Sequence, residues 1–252
     1  MTGPAPGPDA GSSGTGRVLD VLETVAQQPG GLTLSEISRR AGLALTTTHR
    51  LVAELTRRQM LEREPDGRYQ VGLRLWEIAS RAPRTVGLRE AALPFLQDLY
   101  EATHQNVQLA VMDGREVVYV ERISGRDSVH TLTRPGGRLP LHATGVGLVL
   151  LAHAPPEVRD EVLAGRLARY TRYTITDVRR LRKILADVQR QGHAISERQI
   201  ETISTSVAAP VRDRAETVVA AMSIVIPAAG PDPWRFVPAV MAAARGVTRS
   251  LR

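Results

Sequence analysis

GLALTTTHRLVAEL, residues 42–55, sets three threonines, a histidine and an arginine just ahead of an apolar run. Thr48, Leu51, Val52 and Leu55 fall at i, i+3, i+4 and i+7, the spacing of one buried helical stripe. At about 100° per residue, Thr46, Arg50, Ala53 and Arg57 gather opposite that stripe, with Thr47 and His49 on its flanks. The outward face is short, polar and cationic. Small hydroxyl side chains at a helix start let a phosphodiester backbone come close, and the helix N–H groups and threonine hydroxyls can donate to phosphate. Arg50 can reach a guanine edge or a further phosphate. The alternative is that Thr46 or Thr47 merely caps the helix and that Arg50 and Arg57 are solvated charges. The neighbouring segments decide between these.

Upstream, RVLDVLETVAQ from Arg17 places Val18, Leu22 and Val25 on one stripe, with Leu19 beside it, and Pro29-Gly30-Gly31 ends that helix. LTLSEISRRAG then gives a short helix, with Thr33 or Ser35 as its cap, Ile37 and Ala41 facing inward, and Gly42 suited to the left-handed position past its end. A short helix closed by glycine and followed by a polar-faced one is a helix-turn-helix. Downstream, MLEREPDGRYQVG reads as two extended runs joined by Pro65-Asp66-Gly67, a hairpin turn. Together these make a winged helix-turn-helix, whose wing arginines Arg63 and Arg68 would lie beside the minor groove or the phosphates.

The composition is consistent with this. At 252 residues the chain holds one large domain or two ordinary ones, and 42% hydrophobic with 23% charged residues is the balance of a soluble globular protein. No run of about 18 apolar residues occurs, so no membrane helix is expected. The leading MTGPAPGPDAGSSGTG lacks the basic and apolar regions of a secretion signal and reads as a flexible tail, so a cytoplasmic protein is expected. Cysteine is absent, which excludes disulfides, thiol nucleophiles and Cys-ligated zinc. The net charge of +7 favours a polyanionic partner, and all but one of the 33 basic residues, Lys183, are arginine.

Beyond the hairpin, LRLWEIASRA from Leu73 puts Leu75, Ile78 and Ala79 on one side of a helix. After Pro83, Leu88, Ala92, Phe95, Leu96 and Leu99 mark a second apolar side, suited to packing between domains or subunits. Extended runs follow at NVQLAVM, REVVYVERI and SVHTL, with Asp113-Gly114 turning between the first two. Helices follow at HATGVGLVLLAHA, from Glu157, and at TDVRRLRKILADVQRQG with Thr176 as cap. Strands TSVAAPVRD and TVVAAMSIVIP come next, and a helix near PAVMAAARGVTRSL ends the chain. Grouped antiparallel strands flanked by helices make an α+β, sensor-like domain.

Four pieces in order, ISRRAGLALTTTHRLVAEL, RYQVGLRLWEIA, LPLHATGVGLVLLA and SVAAPVRD, resemble the IclR-type bacterial transcription factors over nearly the whole chain from about Gly16. The resemblance implies an α+β protein: a disordered tail over 1–15, a winged helix-turn-helix over 16–72, a linker helix over 73–86, and a GAF-like effector-binding and oligomerisation domain over 87–252. It implies a homodimer or dimer of dimers on double-stranded operator DNA, answering to a small effector, most commonly an organic or aromatic acid. Thr47 and Arg50 match the recognition-helix threonine and arginine. Thr144, Gly145 and Val146 match one wall of the effector pocket, Ser196, Ser204 and Ser206 the opposite wall, and His130 a strand position that lines it.

Physical chemistry agrees with the pocket wall, since Gly145 and Gly147 near the start of a helix over 143–152 could present N–H groups to an anion. The competing reading is that both glycines permit close packing. Two positions depart from the family pattern: Leu148 stands where many members have lysine, and Ile203 stands where many have glycine, so a branched side chain there is expected to narrow the pocket mouth. Catalysis is not expected. Of His104, His130, His142, His153 and His193, none sits in an HExxH motif, no GxSxG occurs, and TGVG lacks the rest of a dinucleotide fingerprint. His142 reads as a structural hydrogen-bond donor. No cofactor or metal is expected. The alternative function is a ligand-binding winged-helix module acting on protein or RNA.

Overall fold

The computed structural model describes residues 13–81, 83–125, 128–129 and 131–252. The chain forms two compact units, Met1–Pro83 and Arg84–Arg252.

The first unit contains α1 (Gly14–Ala26), α2 (Leu34–Ala41), α3 (Leu45–Arg57), β1 (Leu61–Arg63), β2 (Tyr69–Val71) and α4 (Leu73–Ala79). The Ser13 side chain caps α1 by accepting the Gly16 N–H at 3.2 Å, so Gly14 and Thr15 are helical instead of belonging to a tail over 1–15. Residues 1–12 of that tail lie outside the described residues. In α1 the buried residues are Val21 and Val25, whereas Leu19 faces solvent. Of the two candidate caps of α2, Thr33 is the one used. It forms a capping box with Glu36, whose carboxylate accepts the Thr33 N–H at 2.9 Å. Those hydrogen bonds from Thr33 hold the Glu36 carboxyl below its usual range. Gly42 closes α2 at φ 65°, a left-handed position that costs glycine nothing. Val21, Val25, Leu32, Ile37, Leu51, Val52, Leu55 and Leu61 form the core. Strands β1 and β2 pair antiparallel with Arg63 opposite Tyr69, which is the expected hairpin.

The second unit opens with α5 (Pro83–Thr103), so residues 83–86 of the expected linker belong to this longer helix. There follow β3 (Asn106–Asp113), β4 (Glu116–Ile123), β5 (Arg138–Pro140), a 3-10 turn at Leu141–Ala143, α6 (Gly145–Ala152), α7 (Pro156–Ala164), α8 (Val178–Gln191), β6 (Ala194–Glu197), β7 (Ser204–Arg212), β8 (Val218–Pro227) and α9 (Val237–Ser250). The strands make one antiparallel sheet in the order β5-β4-β3-β8-β7-β6. Helices cover both faces, which is why β8 reads as a nearly unbroken apolar run. Val107, Leu109, Val207, Met222 and Ile224 meet Leu88, Ala92, Leu96 and Leu99 of α5 and Val240, Ala244 and Val247 of α9. The apolar side of α5 packs on the sheet of its own unit. Ala110, Tyr119, Ala208 and Ala221 on the other face meet α6 and α8.

Three local expectations differ from the structure. The described residues of SVHTL form no strand: Asn106 Nδ2 donates to the Val129 carbonyl at 2.7 Å, and the Leu132 N–H donates to Glu201 Oε2 at 3.3 Å, so side chains take up groups that a ladder would use. The edge strand is instead β5, paired with β4. α8 is capped by Asp177, whose Oδ1 accepts the Arg180 N–H at 2.6 Å, and not by Thr176. α6 starts two residues later than expected, because 141–143 tighten into the 3-10 turn.

Candidate nucleic-acid face and ligand pocket

In α3 the four stripe residues Thr48, Leu51, Val52 and Leu55 are all buried, and Thr48 satisfies its hydroxyl by donating to the Ala44 carbonyl at 3.1 Å. Thr46, His49, Arg50 and Arg57 are exposed and Thr47 is half-buried. The N-cap is Ala44 with no side-chain cap, so neither Thr46 nor Thr47 serves as one, and the first-turn N–H groups face outward with no side chain on them.

The cations on this unit are not equivalent. Arg50 makes no ion pair among the described residues. Arg57 instead grips Glu54 with bonds of 2.9 and 2.6 Å, and Arg58 reaches the same carboxylate at 2.5 Å. These hydrogen bonds push the Glu54 carboxyl down to about 2, so the Arg57 charge is already partly answered. On the wing, Arg63 is exposed, 5.8 Å over the Tyr69 ring. Arg68 turns inward, donating to the Gly31 carbonyl at 3.1 Å and pairing with Glu36 at 3.4 Å, so it ties the wing to the start of α2.

In the second unit a cavity of about 410 Å³, counting its open mouth, lies between the start of α6 and the sheet. Thr144, Gly145, Val146, Ser196, Ser204 and Ser206, all expected there, line it. His130 lies outside the described residues. Strand register brings the walls together: Ser196 pairs with Ser206, Ser206 with Val225, and Ser223 with Gln108. The Ser196 hydroxyl donates to the Ala143 carbonyl at 3.2 Å. Thr144 caps α6 by accepting the Gly147 N–H at 3.1 Å. Gly147 therefore offers no donor to a ligand, leaving Gly145 and Val146 as the first-turn N–H groups on the lining. Gly147 serves close packing, since a Cβ there would lie 2.6 Å from the Leu141 Cα, and a methyl on Gly145 would overlap the Ser206 hydroxyl.

Several lining residues were not expected from the sequence: Gln108, Tyr119, Thr131, Thr133, Glu201 and Ser223. Gln108 and Ser223 carried a signal, as polar residues interrupting apolar strands, and the Gln108 amide donates to Thr133 Oγ1 at 2.5 Å. Tyr119 is buried, and both that burial and the nearby Glu201 push its phenol pKa up. Burial raises the Glu201 carboxyl, while the Leu132 backbone N–H, 3.3 Å from Oε2, and Arg122 pull it back down. None of the described lining residues is basic.

The two departures from the family pattern do not shape this cavity as expected. Ile203 is 54% exposed and does not line it, and Leu148 is fully buried in the apolar cluster beneath. His142 is buried with Nε2 3.0 Å from the Ala168 carbonyl, which fits its structural reading, and burial lowers its pKa. Among the described residues no helix is long and apolar enough to cross a membrane.

Comparison with known proteins adds the following. Residues 14–65 match the IclR helix-turn-helix domain, and residues 81–249 match the family described as bacterial transcriptional regulator IclR C-terminal. The HTH-type transcriptional regulator XynR of Escherichia coli (strain K12) is 31% identical over 210 residues, which cover 82% of this chain and 83% of XynR. The HTH-type transcriptional repressor AllR of Klebsiella pneumoniae is 30% identical over 234 residues, 92% of this chain and 86% of AllR. A crystal structure of an IclR homolog complexed with 4-hydroxybenzoate, from Microbacterium hydrocarbonoxydans, is 40% identical with a TM-score of 0.89, covering 95% of this chain and 99% of that one.

Proposed function

The chain belongs to the IclR family of bacterial transcriptional regulators, and on that premise we propose that it is a repressor-type regulator whose operator binding answers to a hydroxylated aromatic acid. The observation that carries this reading is the presence in one chain of an exposed, uncapped α3 face and a polar-walled cavity. At the DNA, the α3 face enters the major groove. Arg50 reads a base or phosphate, Thr46, Thr47 and His49 contact the backbone beside it, and Arg63 adds a wing contact. Arg57 contributes less, because Glu54 holds it, and Arg68 acts as a brace for the wing. In the cavity the effector carboxylate sits at the Gly145 and Val146 N–H groups, with the Ser196, Ser204 and Ser206 hydroxyls around it.

A palindromic operator requires a dimer, and α4 supports one. It buries none of its residues, and Leu73, Trp76 and Ile78 are 64, 62 and 49% exposed, apolar surface around the helix that a second copy would cover. The protein acts in the cytoplasm on chromosomal DNA. The effector shifts a population between states that hold DNA differently, so it must bind one of them more tightly.

The test is fluorescence anisotropy with duplex from immediately upstream of its own gene against a scrambled duplex, across a salt series. Tight, selective binding is expected. Equal, steeply salt-dependent binding to both would reduce the α3 face to a generic basic surface, and no binding to duplex would favour a protein or RNA partner.

A further inference from the structure

The pocket has two chemically different poles. At one, the first turn of α6 abuts Ser206 of β7. At the other, Glu201 accepts the Leu132 backbone N–H at 3.3 Å, beside Thr133, whose hydroxyl accepts the Gln108 amide of β3 at 2.5 Å. Strands β3 and β7 are separated by β8, so the poles stand two strand spacings apart, about 10 Å at the backbone.

Resting on the effector reading above, we infer that Glu201 is the specificity-determining residue of the pocket. It accepts a hydrogen bond from a hydroxyl at the end of the ligand opposite the carboxylate, and it rejects a second anionic group there.

The charge inventory supports this. Among the described residues Glu201 is the one carboxylate on the lining, and none of the lining side chains is basic. The nearby cation, Arg122, is turned away: it bonds Asn106 Oδ1 at 3.3 and 2.9 Å and the Thr133 carbonyl at 2.7 Å, and it does not line the cavity. A ligand carboxylate at this pole would face Glu201 with no counterion from the described residues between them. A ligand hydroxyl would donate to a half-buried carboxylate, a charge-assisted bond stronger than a neutral one. A ligand with hydrogen at that position leaves the carboxylate poorly solvated and unmatched, which is the circumstance in which a polar site discriminates most. A six-membered ring with its two substituents directly opposite one another places one at each pole.

The experiment is isothermal titration of the full chain with 4-hydroxybenzoate, benzoate and benzene-1,4-dicarboxylate, for the wild type and for Glu201→Gln, with melting curves of both. Glutamine keeps an oxygen for the Leu132 N–H, so the variant should melt with the wild type. The wild type should bind 4-hydroxybenzoate about tenfold or more tighter than benzoate, with the dicarboxylate weakest. Glu201→Gln should compress the first ratio and strengthen dicarboxylate binding about tenfold. Equal wild-type affinities for 4-hydroxybenzoate and benzoate would overturn the inference, as would an unchanged ranking in the variant. Failure of all three acids to bind the wild type would instead overturn the aromatic-acid effector reading on which it rests.

Discussion

Adding one methyl group at two glycines only two residues apart in α6 should have opposite consequences. In Gly147→Ala, the new Cβ would overlap the Leu141 carbonyl oxygen and the Thr144 hydroxyl and lie 2.6 Å from the Leu141 Cα. Two of those atoms are backbone and cannot rotate away. The third is the cap of α6, which accepts the Gly147 N–H at 3.1 Å. Overpacking of this kind costs about 1–3 kcal/mol and a lost cap about 0.5–2 kcal/mol, so about 3 kcal/mol is expected. For a chain of this size that lowers Tm by roughly 6–12 °C. In Gly145→Ala the overlap is with the Ser206 hydroxyl, and the next neighbours, Ala208 Cβ and Ser206 Cβ, lie at 3.4 Å. A serine hydroxyl turns away at a rotamer cost of about 0.5–1.5 kcal/mol, offset in part by the helix preference of alanine over glycine of up to about 1 kcal/mol. Stability should therefore stay within about 1 kcal/mol of the wild type, while the methyl and the displaced hydroxyl crowd the carboxylate pole. Differential scanning calorimetry combined with titration of 4-hydroxybenzoate reads both effects. Gly145→Ala should fold normally, bind operator and lose ligand affinity. A Gly145→Ala protein that binds ligand like the wild type, or melts as low as Gly147→Ala, would refute this placement of the pole.

Other consequences follow from the same geometry. Arg50→Ala should cost on the order of 1–3 kcal/mol in operator binding and relax preference at one base pair if Arg50 reads a base, whereas equal weakening on every duplex would make it a phosphate contact. Arg57→Ala should cost less, because that side chain is already held by Glu54. Trp76→Asp should weaken self-association in a sedimentation dilution series without changing ligand affinity, and an unchanged profile would remove α4 from the dimer interface. Burial depresses the folded-state pKa of His142 and His153 below the ordinary value of 6.5. The unfolded chain therefore binds more protons in that window, so the stability due to the neutral rings is present above about pH 6.5 and is lost as pH falls through it. Melting temperatures should drop between pH 7 and 5, and a flat profile there would count against buried neutral rings.

The first unit was legible in the sequence because its signals are local. The α3 stripe is a single period read over eight residues, and Gly42 and Pro65-Asp66-Gly67 mark turns whose backbone demands favour those residues. The cap of α8, expected at Thr176, falls one residue on at Asp177, a shift that local chemistry does not resolve, since either side-chain oxygen can reach an N–H three residues on. The sheet was harder. β6 spans four residues and β5 three, too short to show alternation, and SVHTL has strand-like composition but gives backbone hydrogen-bonding groups to the side chains of Asn106 and Glu201. The pocket needs the strand order to be known, because Gln108 and Ser223 lie 115 positions apart in the chain yet share a register pair. Those two carry a local signal, as polar breaks in apolar strands, but one that does not by itself place them on a pocket wall. Glu201 did not, because an acid in a loop is ordinary until the structure sets it on a cavity wall. Ile203 misled for the complementary reason: a pattern position indicates where the backbone runs, and here its side chain faces solvent.

The central claim is that one chain couples the pocket to DNA, and the most direct measurement is operator affinity at fixed salt with and without saturating 4-hydroxybenzoate, with scrambled duplex as control. The account expects selective binding whose Kd changes by about fivefold or more on adding ligand, the lower range of allosteric coupling, with Gly145→Ala binding operator but no longer responding. Selective binding with a Kd unmoved by a ligand that titration shows to be bound would contradict it.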